Sequence, residues 1–437
     1  MGRPADTAGV RRSDDGGRPA QGSAEEPATL DRAAVEVADA FARAGAAGVL
    51  AVDASALAAI ERRYGAAPHA EVIARIAGFA RDVVAPQLSG ADRLCLGELG
   101  RDEVLVLFLR DRRDAAFFRE ALPALARELG ALLASQGARL VYPYARDGVP
   151  LPVGVAPVLH DPTLRPGTLL RRARDLALAD AELRARNEIA ARRERFIGLL
   201  FSEEVRTVFE PIVRLETRQV LGYEALVRGL PGSEFPTPAH LFAAADECDA
   251  AFELDCLCRR SALRAADRLP RGSKLFLNCL PSAIHDPAMQ DTALRDLLAR
   301  QRLAPSDVVF EISERESIEN FAVFREVCDR YAAQGFQIAL DDVGAGYASL
   351  EAVTELAPDY LKVDMSFVRG IDGDPARQEI LKALTQVAWR IDARIIAEGI
   401  ETEAELRTLR GLAVSYGQGY LIGRASELPQ PPGAPVR

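Results

Sequence analysis

A chain of 437 residues with 49% hydrophobic content is too long for one ordinary domain and carries enough apolar residues for two or three sizeable cores. Its net charge of −10 and pI near 5.2 exclude broad electrostatic binding to nucleic acid, so an anionic substrate would need local cations. No run of about 18 apolar residues suggests a membrane span. The six cysteines lack CxxC spacing and the four histidines pair with none of them, which argues against zinc or a disulfide framework and for a reduced, cytoplasmic compartment.

Taken in order, residues 1–30 are rich in Gly, Pro, Ser and charge and read as a disordered tail; with no apolar run they are not a signal peptide. Residues 31–185 read as an α/β domain. A helical stretch (DRAAVEVADAFARAG) precedes a strand at Gly48–Val52, Asp53, a helix over Ala70–Val83 and a strand at Val104–Leu109, and the helix TLLRRARDLALADAELRAR closes the domain. Residues 186–205 alternate acids with bases and read as a solvated connecting helix, suited to coupling two domains or to a dimer contact.

Within that first domain, VDASALAAIERRYG followed by LGELGRDEVLVLF resembles the GGDEF domain of diguanylate cyclases, with Gly100 to Val104 in place of its signature loop. The resemblance implies a nucleotide-cyclase-like fold in which Asp53 is a metal ligand and Asp102 and Glu103 are the acidic pair. Several residues depart from the family. Arg101 replaces a glycine that lets the backbone approach a triphosphate, Glu61 and Ala70 stand at the guanine-recognising positions, and Ala91–Leu94 carries no inhibitory Arg-x-x-Asp. The expectation is a degenerate, regulatory domain without cyclase activity and not expected to bind GTP. The alternative is an unrelated α/β domain whose Asp102 and Glu103 form only a solvated turn.

From Thr207 strand and helix signals alternate regularly. Strand candidates are TVFEPIVRL, LGYEALVR, KLFLNCLP, VVFEISE, QIALDD, YLKVDMS, RIIAEGIE and YGQGYLIG, and residues 206–430 fit a (β/α)8 TIM-like barrel, followed by a tail at 431–437. Polar residues recur at the strand ends: Glu224, Asn278, Glu311, Asp341 with Asp342, Lys362 with Asp364, Glu398 and Gln418. In a barrel these ends converge on one rim. Adjacent carboxylates at Asp341 and Asp342 call for a cation, and oxygen ligands without His or Cys select Mg²⁺ or Mn²⁺. More carboxylates than one ion can use suggest two ions, and a lysine among them could activate water, which together point to metal-dependent phosphoester hydrolysis. A helix-capping turn would need only one aspartate.

The same residues carry a second resemblance. Glu224-Ala225-Leu226 with Arg228, Asn278, EISE, DDVGAGYASL, LKVD, AEGIE and YGQGYLIG, in this order, resemble the EAL domain of cyclic di-GMP phosphodiesterases. The resemblance implies hydrolysis of cyclic di-GMP to linear pGpG. It implies that Glu224, Asn278, Glu311 and Asp341 hold one metal and that Asp341, Asp342 and Glu398 share a second. Lys362 would orient and help deprotonate the attacking water with Glu398 nearby, Arg228 would grip a substrate phosphate, and Gln418 and Asp364 would position water or substrate. Glu314 would brace the loop after Asp342, Glu401 would support the site, and a homodimer through this domain is expected. Val343 replaces a usual Phe, Ala348 a common Ser and Glu210 a frequent Gln. The competing reading is a non-catalytic cyclic di-GMP receptor; the presence of every acid favours the enzyme.

Overall fold

The computed structural model describes residues 28–98, 101–145, 148–280, 282, 286, 291–313, 321–344, 353 and 355–429. Gly100, His285, Glu314, Ala348, residues 1–27 of the tail expected at 1–30 and the whole tail expected at 431–437 lie outside the described residues, whereas residues 28–30 belong to the first strand and helix. The chain divides into two units, Met1–Ala190 and Ala191–Arg437. Among the described residues no helix is long and apolar enough to cross a membrane, and all six cysteines are free.

The first unit is built in chain order from β1 (Ala28–Thr29), α1 (Leu30–Glu36), α2 (Ala38–Ala44), β2 (Gly45–Asp53), α3 (Ala58–Tyr64), α4 (Ala66–Val84), β3 (Arg93–Leu96), β4 (Glu103–Asp111), α5 (Leu122–Val141), β5 (Val153–Leu159) and the start of α6 (Pro166–Ser202). Its sheet runs β1-β3-β4-β2-β5, with only the β1–β3 pair parallel. Side chains alternate between two faces, as the period of a strand requires. Leu50, Val52, Val104, Val106 and Phe108 pack on α4 and α5, whereas Val49, Ala51, Leu105 and Leu107 face α1, α2 and α6. Two of the five strands, β2 and β4, are those read from the sequence. The expected closing helix and the expected connecting helix are one element, since α6 runs unbroken over 37 residues.

The second unit is a closed barrel in the order β10-β11-β12-β13-β6-β7-β8-β9, from β6 (Val205–Arg214), β7 (Val220–Gly229), β8 (Lys274–Asn278), β9 (Val308–Ser313), β10 (Gln337–Val343), β11 (Tyr360–Val363), β12 (Arg394–Ala397) and β13 (Tyr416–Gly417). Eight strands close it, as expected, but one departs from an all-parallel barrel: β6 is antiparallel to both neighbours, β13 and β7. The cause is local. Arg214 and Val220 are joined by a tight turn with Arg218 in the left-handed region, φ 58°, and so short a connection can only reverse the chain. The interior is filled by Ile212, Phe276, Val309, Ala339, Tyr360, Ile396 and Tyr416. A larger apolar layer, including Leu275, Phe310, Leu340, Leu361 and Ile395, packs between the strands and the surrounding helices.

Candidate active site

The interior layer locates the site. Moving two residues along each parallel strand leads from Phe276 to Asn278, Val309 to Glu311, Ala339 to Asp341, Tyr360 to Lys362, Ile396 to Glu398 and Tyr416 to Gln418. Alternation keeps each of these on the inner face, one layer nearer the rim. On β7 the residue two before Glu224 is Gly222, where a Cβ would stand 2.3 Å from Lys274 O. On β6 the direction reverses, so Ile212 leads back to Glu210, which pairs in register with Glu224. In an all-parallel barrel Glu210 is only a departure from the family pattern; with β6 reversed it is the eighth member of the ring. The signal was the lone carboxylate two residues before an apolar strand position.

Lys362 is the centre. It is fully buried, and its Nζ lies 2.9 Å from Glu398 Oε1, 3.0 Å from Glu311 Oε1, 3.2 Å from Asp341 Oδ1 and 3.5 Å from Glu224 Oε2. Asn278 Nδ2 donates to Glu224 Oε1 at 3.2 Å, and Gln418 Nε2 donates to Glu224 Oε2 at 2.6 Å and Glu398 Oε1 at 3.1 Å. Asp341 and Asp342 occupy an irregularity in β10 where three steps oppose two on β11, from Leu340–Leu361 to Val343–Val363. In a regular strand neighbours point to opposite faces; the bulge, with Asp342 at φ 60°, turns both carboxylates to one site. Carboxylate oxygens of Asp341, Asp342 and Glu398 lie within 4.8 Å of one another.

Charge is unbalanced. Glu210, Glu224, Glu311, Asp341, Asp342 and Glu398 share one lysine and two amides. Burial works against the Lys362 charge, but Asp341, Glu224, Glu311 and Glu398 outweigh it and hold the ammonium far above its ordinary range. Burial and neighbouring carboxylates push Glu311 well up and Asp341 up, and Glu398 is pushed to about 8 mainly by burial. Glu224 alone is held low, because Lys362, Gln418 and Asn278 outweigh its burial. Burial, then repulsion from Glu224, carries Glu210 to about 7. Among the described residues nothing donates a hydrogen bond to the buried Glu311 Oε2. An excess of hard oxygen ligands with an orphaned buried oxygen fits divalent cations, held by Glu224, Asn278, Glu311, Asp341, Asp342 and Glu398.

The remaining expected residues sit further out. Arg228, two turns of the pleat beyond Glu224, spends one N–H on Val227 O at 2.8 Å. Asp364 caps the short helix Met365–Val368, accepting from Ser366 N at 2.9 Å. Glu401 does not reach the ring; its carboxylate is paired with Arg369 at 2.5 Å and is 40% exposed. A cavity of about 360 Å³ adjoins the ring, lined by Glu224, Asn278 and Glu311 and by Phe242, Arg259 and Cys279.

In the first unit Asp53 and Glu103 face each other across β2 and β4. Glu103 is 7% exposed and Arg174 of α6 lies against it, Nη1 to Oε1 3.3 Å, while Asp102 Oδ2 is 3.0 Å from His69 Nε2. These acids are therefore not a solvated turn. Asp53 is turned to its own backbone, accepting from Ser55 N at 2.9 Å.

Comparison with known proteins places the barrel. The family described as EAL domain matches residues 194–425. Over 241 residues the chain is 29% identical to a protein of Escherichia coli K12 named as a probable cyclic di-GMP phosphodiesterase, PdeG, covering 54% of this chain and 47% of that protein. It is also 29% identical over 247 residues to an uncharacterized signaling protein of Caulobacter vibrioides, covering 56% and 30%. The chain thus spans less than half the length of these curated relatives. Among solved structures, the Xanthomonas citri FimX EAL domain in complex with c-di-GMP aligns at a TM-score of 0.50 and 21% identity, covering 56% of this chain and 96% of that one, a likeness of fold.

Proposed function

Because this chain belongs to the EAL domain family, we propose that its barrel hydrolyses cyclic di-GMP to linear pGpG with Mg²⁺ or Mn²⁺, two ions per site. The observation that carries the reading is the ring: six carboxylates about one buried ammonium at a single barrel rim. The name of the Escherichia coli relative supports the same substrate. When bound, divalent cations acidify water and offset the charge that grows on phosphorus.

The chain's own residues supply the rest. Lys362 orients the attacking water, and the ionised carboxylate of Glu398, 2.9 Å from the ammonium, helps to take up its proton. The water oxygen bonds to phosphorus, the P–O3′ bond breaks, and the released 3′ oxygen takes up a proton, leaving a 5′-phosphate on the linear product. Gln418 holds Glu224 and Glu398 at fixed spacing. Arg228 engages a substrate phosphate, Asp364 after β11 positions water or substrate, and Glu401 supports the segment after β12. Glu210 adds a carboxylate that the family reading does not require.

For the first unit we infer a regulatory, GGDEF-like domain without cyclase chemistry. Its support is Arg174, whose guanidinium occupies Glu103 where a metal would need the carboxylate free. A homodimer joined through the barrel and a cytoplasmic location complete the reading. The test is incubation of purified protein and cyclic di-GMP with Mg²⁺ or Mn²⁺, beside Glu224→Ala and Lys362→Ala. Formation of pGpG by the native chain alone is expected; tight binding without pGpG would replace the enzyme by a receptor.

A further inference from the structure

Outside the ring, one buried carboxylate joins two of the segments that carry ring residues. Glu405 lies in the first turn of the helix Glu403–Gly411 and is 4% exposed. Its Oε2 accepts hydrogen bonds from the N–H groups of Glu401 at 3.0 Å and Thr402 at 2.9 Å. These contacts belong to the helix's own capping box, in which Thr402 Oγ1 accepts from Glu405 N at 3.2 Å. Its Oε1 does something else. It accepts from the N–H of Gly370 at 2.9 Å, at the far end of the segment that follows Lys362 and Asp364.

Other contacts join the same two segments. Arg369 Nη2 meets Glu401 Oε1 at 2.5 Å. Gly399 adopts φ 65°, and a Cβ there would stand 2.4 Å from Met365 Cβ, so the segments touch almost backbone to backbone. Between this seam and the ring lies Glu398, whose N–H donates to Val363 O at 3.0 Å and whose carboxylate faces Lys362 at 2.9 Å. Burial would raise the Glu405 pKa, but the three N–H donors outweigh it and keep the group ionised, so the tie is charge-assisted.

We propose that Glu405 is a positioning residue for the barrel's reaction: by tying Gly370 to Glu401 and Thr402 it fixes the separation of the Lys362 and Glu398 segments. Its kinetic consequence rests on the phosphodiesterase reading; its consequence for cation binding rests on the ring alone.

Two variants separate the tie from the cap. Glu405→Gln retains one acceptor oxygen, which can serve Glu401 and Thr402, and turns an NH2 toward the Gly370 N–H. The cap survives and the tie breaks. Thr402→Ala removes the cap hydroxyl and leaves the tie. Glu405→Gln is expected to lower kcat about tenfold at nearly constant KM and to weaken Mn²⁺ binding, read by electron paramagnetic resonance of free Mn²⁺, also about tenfold, as for other groups that orient metal ligands. Thr402→Ala is expected to melt at lower temperature yet keep kcat and Mn²⁺ affinity within about twofold of the native chain.

Native-like kcat and Mn²⁺ affinity in Glu405→Gln would overturn the proposal, as would an equal loss in Thr402→Ala. If Glu405→Gln does not fold, Arg369→Gln at the exposed tie decides: Mn²⁺ affinity reduced about threefold or more supports the proposal, and unchanged affinity overturns it. If the native chain binds Mn²⁺ but makes no pGpG, the phosphodiesterase reading fails, and the Mn²⁺ comparison still decides the role of Glu405.

Discussion

Replacing Lys362 with methionine would keep the buried stem and delete the charge. Four carboxylate oxygens between 2.9 and 3.5 Å from Nζ would then face one another without a counter-ion. Breaking a buried ion pair by removing one partner costs about 3–5 kcal/mol. The cost here depends on pH, because carboxylates that lose their partner can take up protons instead. Glu398 is already pushed to about 8 and Glu311 in the same direction, and both rise further without Lys362, so protons relieve more of the repulsion at about pH 6 than at about pH 8.5. Near the upper limit of about 5 kcal/mol, a unit of this size should melt roughly 10–20 °C lower. Circular-dichroism melts in EDTA at both pH values measure the gap between native and variant chains. Saturating Mn²⁺ should narrow it, because a cation replaces the lost charge, while pGpG formation stays abolished. A Lys362→Met chain melting within about 2 °C of the native one at both pH values would refute the reasoning, since no single ammonium would then be balancing the ring.

Two further outcomes follow from buried charge. Arg174→Met leaves Glu103 buried without its guanidinium; burial already raises that carboxyl above its usual range against the pull of Arg174 and Arg101. A carboxyl whose folded pKa is raised contributes stability below the ordinary carboxylate range and loses it as pH rises. The deficit of Arg174→Met should therefore be small near pH 4.5 and widen to about 3 kcal/mol by pH 8, measured by urea unfolding of the first unit. Glu210→Gln removes a carboxyl that titrates near 7 beside Glu224. In EDTA the native chain loses stability as pH rises from about 4.5 to about 7 and the variant does not, so Glu210→Gln should be more stable at about pH 8 by about 3 kcal/mol and unchanged near pH 4.

The barrel was legible because its strands are apolar runs that stop at polar residues, and a repeating signal survives local noise. The ring residues followed from that pattern, although their contacts did not. That Asp341 and Asp342 face one site depends on a bulge, and no residue type announces a bulge without glycine. The inverted β6 was hidden because reversal is set by the turn after Arg214, whereas TVFEPIVRL reads alike in either direction. In the first unit β3 has only four residues, and β5 contains Gly154 and Pro157, which read as loop. Both are tolerated for structural reasons. Pro157 lies on an edge strand, and Gly154 lets α6 approach so closely that a Cβ would stand 2.1 Å from Ala177 O. Glu405 was unreadable as a tie because its partner, Gly370, is 35 residues away and offers only a backbone N–H.

The reversal of β6 also decides where the chain is admitted to the barrel. In an all-parallel barrel the first strand would begin at the pole opposite the reacting groups. Here Val205 pairs with Gly229 and Arg206 with Arg228, so the polypeptide arrives beside Arg228. The last turn of α6 and residues 203–204 therefore meet the barrel at the rim that carries the ring. That point of entry is one rung of the ladder from Arg228, on the rim side of the packed interior of Phe276, Tyr360 and Tyr416.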